Sequence, residues 1–139
     1  MSNRKNDIPV KPSLPPAKIK FSFEYYDASE NTKYCMSDWS KKQIKEALSR
    51  LKDINTKTFN ELNTFGRGVY HFGEVDWEKT IEKGGFPDPR LKYLSPFHFA
   101  LLGVNGQLTR VYGAYSSGTF YIVWFDLNHK IWPSPLKNT

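Results

Sequence analysis

The stretch that decides the fold is FHFALLGVNGQLTRVYGAYSSGTFYIVWFDLNHKIW, residues 97–132. Two apolar segments flank Asn105-Gly106, a dipeptide that accepts the positive φ required at both central positions of a type I′ turn. The pattern therefore predicts a β-hairpin. A second turn at residues 116–118 leads into residues 119–127, whose unbroken aromatic and β-branched run predicts a strand covered on both faces.

Arg110 is the residue in this stretch that most needs a partner. If the residues flanking each turn pair with one another, Leu101 lies opposite Arg110 on one side and Phe125 lies beside it on the other. A guanidinium cannot lose its charge to escape burial, so it requires an anion, a cluster of carbonyl groups or an open cleft. The sequence therefore favours a functional or hydrogen-bonded role for Arg110 about as much as a plain surface ion pair.

The length of 139 residues suits a single domain with a substantial core. The formal net charge of +6 is distributed unevenly. Residues 1–20 hold five basic residues and one acidic residue. Residues 21–88 hold ten basic and twelve acidic residues, and residues 89–139 hold five basic residues and one acidic residue. This distribution is compatible with a nucleic acid or an acidic partner, and equally with an ordinary solvated surface.

Two absences set the expected compartment. The chain has one cysteine, Cys35, so it can form no intrachain disulfide and no cysteine-based metal cluster, which fits a reducing environment. The opening residues lack the apolar core of a secretory signal, and no apolar run reaches the length of a membrane span. We expect a soluble cytoplasmic protein without a membrane partner.

The chain divides into a short arm and one domain. Residues 1–17 contain four prolines among scattered charges, a composition typical of an extended arm. Residues 18–139 form the predicted domain. It begins at residues 18–25 with the alternation of apolar and polar side chains that is typical of a half-buried strand.

Two helices are predicted next. Apolar residues recur at helical spacing over residues 38–54, with Ser37 or Ser40 placed to cap the first turn. Thr56 can cap a second, shorter helix that ends at the glycines of residues 66–68. Together these segments predict a helical hairpin.

Weaker signals fill the segment before the β-hairpin. Residues 69–72 have the composition of a strand, residues 74–83 predict a short helix, and the glycines and prolines of residues 84–89 predict turns. The expected fold class is therefore α+β, with an N-terminal strand and a helical hairpin packed on an antiparallel sheet.

The sequence contains no standard cofactor motif. It has no phosphate-binding loop, no G-x-S-x-G elbow and no G-x-G-x-x-G fingerprint, so we expect no cofactor. The histidines His71, His98 and His129 are too dispersed to resemble a local metal motif, and Asp126-x-x-His129 matches a ligand spacing only weakly. A small-molecule or metal site built from these histidines is retained as the least favoured alternative.

The remaining chemistry is acid-base catalysis beside a fixed positive charge, which suffices for RNA cleavage through the RNA's own 2′-hydroxyl. A base near neutral pKa removes the 2′-OH proton, an acid protonates the leaving 5′-oxygen, and a cation stabilises the charge at phosphorus. The predicted catalytic residues are His129, as acid or base, and the cations Arg110 and Lys130, as phosphate ligands.

Further residues could bind the substrate, since single-stranded RNA is commonly held by stacking its splayed bases on aromatic rings. The predicted substrate-binding residues are Arg67, Tyr70, His71, Tyr112, Tyr115 and Trp132. Each of the aromatic residues also has an ordinary interpretation as part of the core, and each histidine has one as a surface residue.

The chain resembles the RelE/ParE superfamily of bacterial type II toxins over about residues 18–133. The resemblance rests on the order strand, helical hairpin and antiparallel sheet, and on the run FYIVWF with the exit NHKIW. The late-strand arginine of the family resembles Arg110, and the family's terminal pattern of a hydrophobic run, a histidine, a basic residue and an aromatic is similar to YIVWFDLNHKIW. Trp132 stands where many members carry tyrosine, and it has no phenolic proton to transfer.

The resemblance implies a toxin that cleaves mRNA, an endoribonuclease of the mRNA interferase type. It also implies that cleavage occurs commonly on the ribosome and that a cognate antitoxin neutralises the toxin. RNA and the antitoxin protein are therefore the expected partners. Because members of this superfamily without nuclease activity exist, the alternative is a non-catalytic module of the same fold that binds nucleic acid or protein.

Overall fold

In a computed structural model, the described residues are 17–65, 70–104 and 107–133. Within these ranges the chain forms two α-helices and five strands. In chain order they are β1 (Lys20–Ser22), α1 (Lys41–Ile54), α2 (Phe59–Phe65), β2 (Gly73–Glu74), β3 (Ser95–Val104), β4 (Gln107–Ser116) and β5 (Thr119–Asp126). The fold class is α+β, as predicted. Neither helix is long and apolar enough to cross a membrane.

Some predictions fall on residues outside the described ranges. They are the extended arm over residues 1–16, the glycine helix stop with Arg67 in residues 66–69, and the turn at Asn105-Gly106.

All five strands join one sheet in the order β1-β5-β4-β3-β2. The pairs β2/β3, β3/β4 and β4/β5 are antiparallel, but β1 lies parallel to β5. The expectation of an antiparallel sheet is therefore wrong for this one pair. The helices and three strands separate β1 from β5 in the chain, and so long a connection allows two neighbouring strands to run in the same direction.

Both hairpin registers begin as predicted. Val104 pairs with Gln107, and Ser116 pairs with Thr119. The second turn contains Ser117 with φ 49° and Gly118 with φ 87°, so both of its central residues have the positive φ that closes a two-residue hairpin.

Two bulges then change the neighbours of Arg110. One extra residue in β3 places Ala100, rather than Leu101, opposite Arg110. An extra residue in β5 places Asp126, rather than Phe125, on the other side. The predicted neighbours are wrong for a single reason: a bulge inserts one unpaired residue and shifts every pair beyond it.

Helix α1 begins with a capping box at Ser40, one of the two predicted caps. The backbone N–H of Gln43 donates to the Ser40 Oγ at 3.1 Å, and the backbone N–H of Ser40 donates to the Gln43 Oε1 at 2.8 Å. These two bonds satisfy N–H groups that the first turn of a helix otherwise leaves unpaired.

Helix α2 is capped by Thr58 and not by the predicted Thr56. The backbone N–H of Glu61 donates to the Thr58 Oγ1 at 3.1 Å, and the Thr58 N–H donates to the Glu61 Oε1 at 2.9 Å. The hydroxyl of Thr56 instead donates to the backbone oxygen of Asp53 at 2.6 Å, at the end of α1. Only Thr58 has a glutamate three residues later, and this spacing completes the box.

The segment between α2 and β3 is less regular than predicted. Strand β2 begins at Gly73, after the predicted strand of residues 69–72, and contains two residues. In place of the predicted helix at residues 74–83 there is a single 3₁₀ turn, Trp77–Lys79, and a second 3₁₀ helix covers Pro89–Tyr93. This segment lies against the sheet and covers part of one face.

The sheet carries a buried apolar cluster on each face. The helix-side core comprises Ile19, Trp39, Ala47, Leu51, Ile54, Leu62, Phe72, Phe97, Phe99, Leu101, Val111, Phe120, Ile122 and Phe125. The far-side core comprises Tyr34, Val75, Leu91, Tyr112, Ala114, Val123, Trp124 and Ile131. Every residue from Ile122 to Asp126 is buried, so the prediction that β5 is covered on both faces is confirmed.

Gly113 marks a close approach beside the bulge in β5. A Cβ at this position would lie 2.2 Å from the backbone oxygen of Tyr121 and 2.5 Å from the ring of Phe120. We expect Gly113→Ala to destabilise the fold by about 3 kcal/mol, because backbone must move to admit a methyl group. Urea denaturation measures the difference in the free energy of unfolding.

The matched control for this substitution is Gly84→Ala. A Cβ at Gly84 would meet no heavy atom within 4 Å, so we expect a change below about 0.5 kcal/mol. Equal unfolding free energies for the two alanine variants would contradict the close approach at Gly113.

Candidate functional site: an arginine among three histidines

The guanidinium of Arg110 lies on the sheet face that bears the far-side core. Its Nη1 contacts the Nδ1 of His98 at 2.7 Å and donates to the backbone oxygen of His71 at 3.2 Å. Among the described residues no carboxylate forms a salt bridge with Arg110. Arg110 is only partly exposed, so a carbonyl and an imidazole supply the polar contacts that its burial requires.

The carbonyl of His71 is in reach because the chain before β2 is tied to β3. The backbone N–H of Ala100 donates to the oxygen of Tyr70 at 2.5 Å, and Ala100 is itself opposite Arg110 in the sheet. Gly73 then pairs with His98. The bulge and the short strand β2 therefore bring residues 71, 98 and 110 together.

His98 is neutral over most of the accessible pH range. Burial, and then the positive charge of Arg110, lower the pKa of His98 to about 3. A neutral imidazole has one acceptor nitrogen, and Nδ1 must be that acceptor because Arg110 can only donate. The ring also lies edge-on to Trp132, with 5.3 Å between the ring centroids.

His71 and His129 complete the group, which we call the histidine-arginine cluster (Arg110, His71, His98 and His129). Desolvation and the charge of Arg110 lower the pKa of both His71 and His129. The charge of His129 also acts on His98, which places the three imidazoles in one neighbourhood around the guanidinium. All three are therefore neutral at pH 7. The lone pair of His98 accepts the hydrogen bond from Arg110, so His71 and His129 are the two that could accept a proton from a substrate.

His71 and His129 share an uncommon backbone conformation. Their φ values are 52° and 57°, in the left-handed region that few residues other than glycine adopt. Such residues persist only where the surrounding structure holds them, and they gather at functional sites. Both are loop residues at the edge of the sheet, and His129 is half-buried whereas His71 is exposed.

Asp126 is the residue of this region that the sequence analysis did not place in the site. Its side chain is 2% exposed and lies at the end of β5, opposite Arg110. The Oδ1 accepts the backbone N–H of Lys130 at 2.9 Å, and the Oδ2 accepts the backbone N–H of Ile131 at 2.7 Å. The sequence feature that could have identified Asp126 is an aspartate at the end of an apolar strand, followed by a short polar loop. A carboxylate in this position can accept hydrogen bonds from backbone N–H groups of the loop.

The predicted catalytic residues divide between the cluster and the surface around it. Arg110 is near enough to His129 for its charge to lower the pKa of that imidazole. Lys130 is exposed and lines a cavity of about 210 Å³ that also borders Tyr34 and Cys35. Arg67 lies outside the described residues.

Two predicted base-stacking residues, Tyr70 and Tyr115, have their rings placed elsewhere. The hydroxyl of Tyr70 donates to Asp53 of α1, and the guanidinium of Arg50 lies 4.8 Å from its ring centroid. The ring of Tyr115 stacks on Phe59 at 4.3 Å, on the helix side of the sheet.

Tyr112 shares the face of the cluster but is fully buried. Stacking of a base on any of these three rings would therefore require displaced packing. Trp132 is half-buried beside His98 and is the predicted aromatic residue that the structure does bring to the cluster.

Two buried donors at the cluster have no hydrogen-bond partner among the described residues. They are the Nε of Arg110 and the hydroxyl of Tyr112. Burial and the charge of Asp126 raise the pKa of Tyr112, so the hydroxyl keeps its proton. A buried donor without a partner costs about 1–3 kcal/mol, and a bound oxygen atom would remove that cost. The cluster thus combines a fixed cation, free donors and neutral imidazoles, a combination suited to an oxyanion and to proton transfer.

The cluster is poorly suited to a metal ion. The charge of Arg110 lies among the imidazoles, and within the described ranges no group of three or more His, Cys, Asp or Glu residues is arranged to hold a metal.

Comparison of the chain with protein-family models, with curated proteins and with solved structures found no match in any of the three.

The lowered pKa of His98 predicts how stability depends on pH. Between the ordinary value of 6.5 and about 3, the unfolded chain binds a proton at His98 that the folded protein does not bind. Stability therefore falls as the pH is lowered through this window, by up to about 1.4 kcal/mol per pH unit from this residue. We expect His98→Asn, whose Oδ1 can still accept from Arg110, to flatten this dependence. Urea denaturation at a series of pH values measures it.

The control is His71→Asn. It removes an exposed imidazole from the same cluster and should retain the contribution of His98 to the slope. If wild type and His98→Asn lost stability in parallel between pH 6.5 and pH 3, the neutral state assigned to the buried imidazole would be wrong.

Proposed function

We propose that this protein is a RelE-like, metal-independent endoribonuclease toxin that cleaves mRNA. The observation that supports this function best is the arrangement at Arg110: a partly buried cation that forms no salt bridge among the described residues, a buried Nε with no hydrogen-bond partner there, and neutral imidazoles around it. The cation is preorganised for a phosphate oxygen, and a neutral imidazole is the base that 2′-hydroxyl chemistry requires.

In the proposed mechanism, His129 removes the proton of the 2′-hydroxyl. The 2′-oxygen attacks phosphorus as the bond to the 5′-oxygen breaks, and the 5′-oxygen takes up a proton from water. The hydroxide so formed takes back the proton that His129 has accepted. The products are a 2′,3′-cyclic phosphate and a 5′-hydroxyl. Arg110 stabilises the charge that develops on the phosphate oxygens, and Lys130 adds positive charge at the rim.

The remaining parts of the proposal concern partners. Trp132 supplies an aromatic edge at the cluster for a base of the RNA. The resemblance to the RelE/ParE superfamily extends the proposal to cleavage on the ribosome, to a cytoplasmic location and to neutralisation by a cognate antitoxin. The net charge of +6 is consistent with an RNA substrate.

The second candidate is a non-catalytic module that binds nucleic acid or protein. The specific observation in its favour is that His98 is only partly exposed and that Tyr112 is fully buried beside it. In this case Arg110 anchors an anionic group of the partner, and no bond is cut.

Removal of the cation or of the proposed base separates the two functions. We expect Arg110→Ala and His129→Ala each to lower the rate of RNA cleavage by about 100-fold or more, because charge stabilisation and proton transfer each contribute factors of this size. Induced expression of each variant gives growth and RNA fragmentation in cells, and purified protein with a single-stranded RNA gives the rate.

Matched controls are available for both substitutions. Arg90→Ala removes an exposed arginine that pairs with Asp88, and Asn128→Ala changes the exposed neighbour of the proposed base. Growth arrest with fragments that both site variants abolish supports the nuclease. Arrest without fragments supports the binding module, and cleavage at the wild-type rate by either site variant excludes the nuclease mechanism.

The pH profile of cleavage tests the base directly. A base acts only when unprotonated, and the pKa of His129 lies below its ordinary value of 6.5 because of burial and the charge of Arg110. We therefore expect the rate to stay near its maximum down to below pH 6.5 and then to fall as the pH is lowered. Arg110→Ala removes the positive charge, so the pKa of His129 should rise and the fall in rate should begin at a higher pH than in the wild type. An unchanged profile would show that the profile does not come from the cluster.

A further inference from the structure

The loop that carries His129 is held by a carboxylate that the proposed mechanism does not use. Asp126 is 2% exposed, and its two oxygens accept the backbone N–H groups of the two residues that follow His129, at 2.9 Å and 2.7 Å. His129 itself has φ 57°, a strained conformation for a residue other than glycine, which needs support from the surrounding structure.

The far end of the loop is anchored independently. Ile131 is fully buried, and its backbone oxygen accepts the N–H of Ile81 at 2.8 Å. The loop between β5 and Ile131 is therefore fixed at its end by packing. The turn at His129 is fixed by the carboxylate of Asp126, because the backbone N–H groups of Lys130 and Ile131 both donate hydrogen bonds to it.

We propose that Asp126 is a positioning residue that holds the imidazole of His129 beside Arg110. The consequence for catalysis rests on the proposed endoribonuclease function, whereas the positioning itself does not. A base displaced by about 1 Å from its productive position can lose a factor of about 100 in rate, so a rigid hold on the loop has a direct effect on turnover.

The effect of the Asp126 charge can be distinguished from its effect on the position of the His129 ring, because several charged and titratable groups act on the pKa of His129. Those that face it are Arg110 on β4, His98 on β3, His71 before β2 and Asp126 at the end of β5. The charge of Asp126 raises the pKa of His129, whereas Arg110 and burial lower it. Loss of charge alone lowers the pKa of His129, but release of the loop returns it toward the ordinary value.

The test compares Asp126→Asn with Asp126→Ala by NMR titration of the His129 ring. The asparagine keeps one carbonyl acceptor for the loop and loses the charge, so we expect the His129 pKa to fall, by about half a unit. The alanine loses both hydrogen bonds, so the loop leaves Arg110 and the His129 pKa rises toward 6.5. Asp126→Ser, with one short acceptor, replaces the alanine variant if that protein does not fold, and the same rise is expected.

The matched controls are Asp27→Asn and Asp27→Ala. Asp27 also holds a loop with a partly buried carboxylate, which accepts the Nε1 proton of Trp124 at 2.8 Å, but it does not act on His129. We expect neither control to move the His129 titration. Thr109→Val removes the hydrogen bond of 3.0 Å from the Thr109 hydroxyl to the oxygen of Leu127 and controls for a general loss of stability near the loop.

RNA cleavage by the same proteins connects position to function. We expect kcat to fall by about 10-fold in Asp126→Asn and by about 100-fold in Asp126→Ala, with KM within about twofold, because Arg110 still binds the phosphate.

The outcomes have distinct meanings. Equal decreases of the His129 pKa in the asparagine and alanine variants would show that Asp126 acts only through its charge, and would overturn the positioning role. A wild-type protein that cleaves no RNA would overturn the proposed function, while the opposite pKa shifts in the two variants would still establish the hold on the loop.

Discussion

The structure depends on how one permanently charged side chain is accommodated on a largely buried sheet face. The Nη1 of Arg110 contacts an imidazole nitrogen at 2.7 Å and a backbone oxygen at 3.2 Å, with no carboxylate in a salt bridge among the described residues. Neither contact partner carries a negative charge, although the charge of Asp126 acts on the guanidinium from the neighbouring strand. Burial, together with the positive charge of Arg110, lowers the pKa of the three surrounding histidines.

The two faces of the sheet are covered in different ways. Helices α1 and α2 cover one face with an ordinary apolar layer, so the helix side needs no polar group in its interior. The other face is covered by the loop that carries Tyr34, by short 3₁₀ segments and by the chain after β5. Because this cover is irregular, His71 and His129, two loop residues that are distant in sequence, both lie near Arg110.

Much of the fold follows from local patterns. The cap at Ser40, the turn at Ser117-Gly118 and the burial of β5 each depend on residues close in sequence, and each was predictable. The cap of α2 was assigned two residues too early, although the glutamate that completes a box with Thr58 is visible in the sequence. The short strand β2 was misplaced because two residues carry too little periodicity to be distinguished from a loop.

The sequence by itself determined both helices, the strands other than β2, the α+β class and the demand of Arg110 for a polar partner, because propensity, turn chemistry and the charge of a guanidinium are local properties. Only the tertiary structure decided which groups meet that demand. The bulges in β3 and β5 each move the register by one residue, so Ala100 and Asp126 flank Arg110. A bulge depends on packing between strands distant in sequence, and so does the contact that brings His98 to the guanidinium.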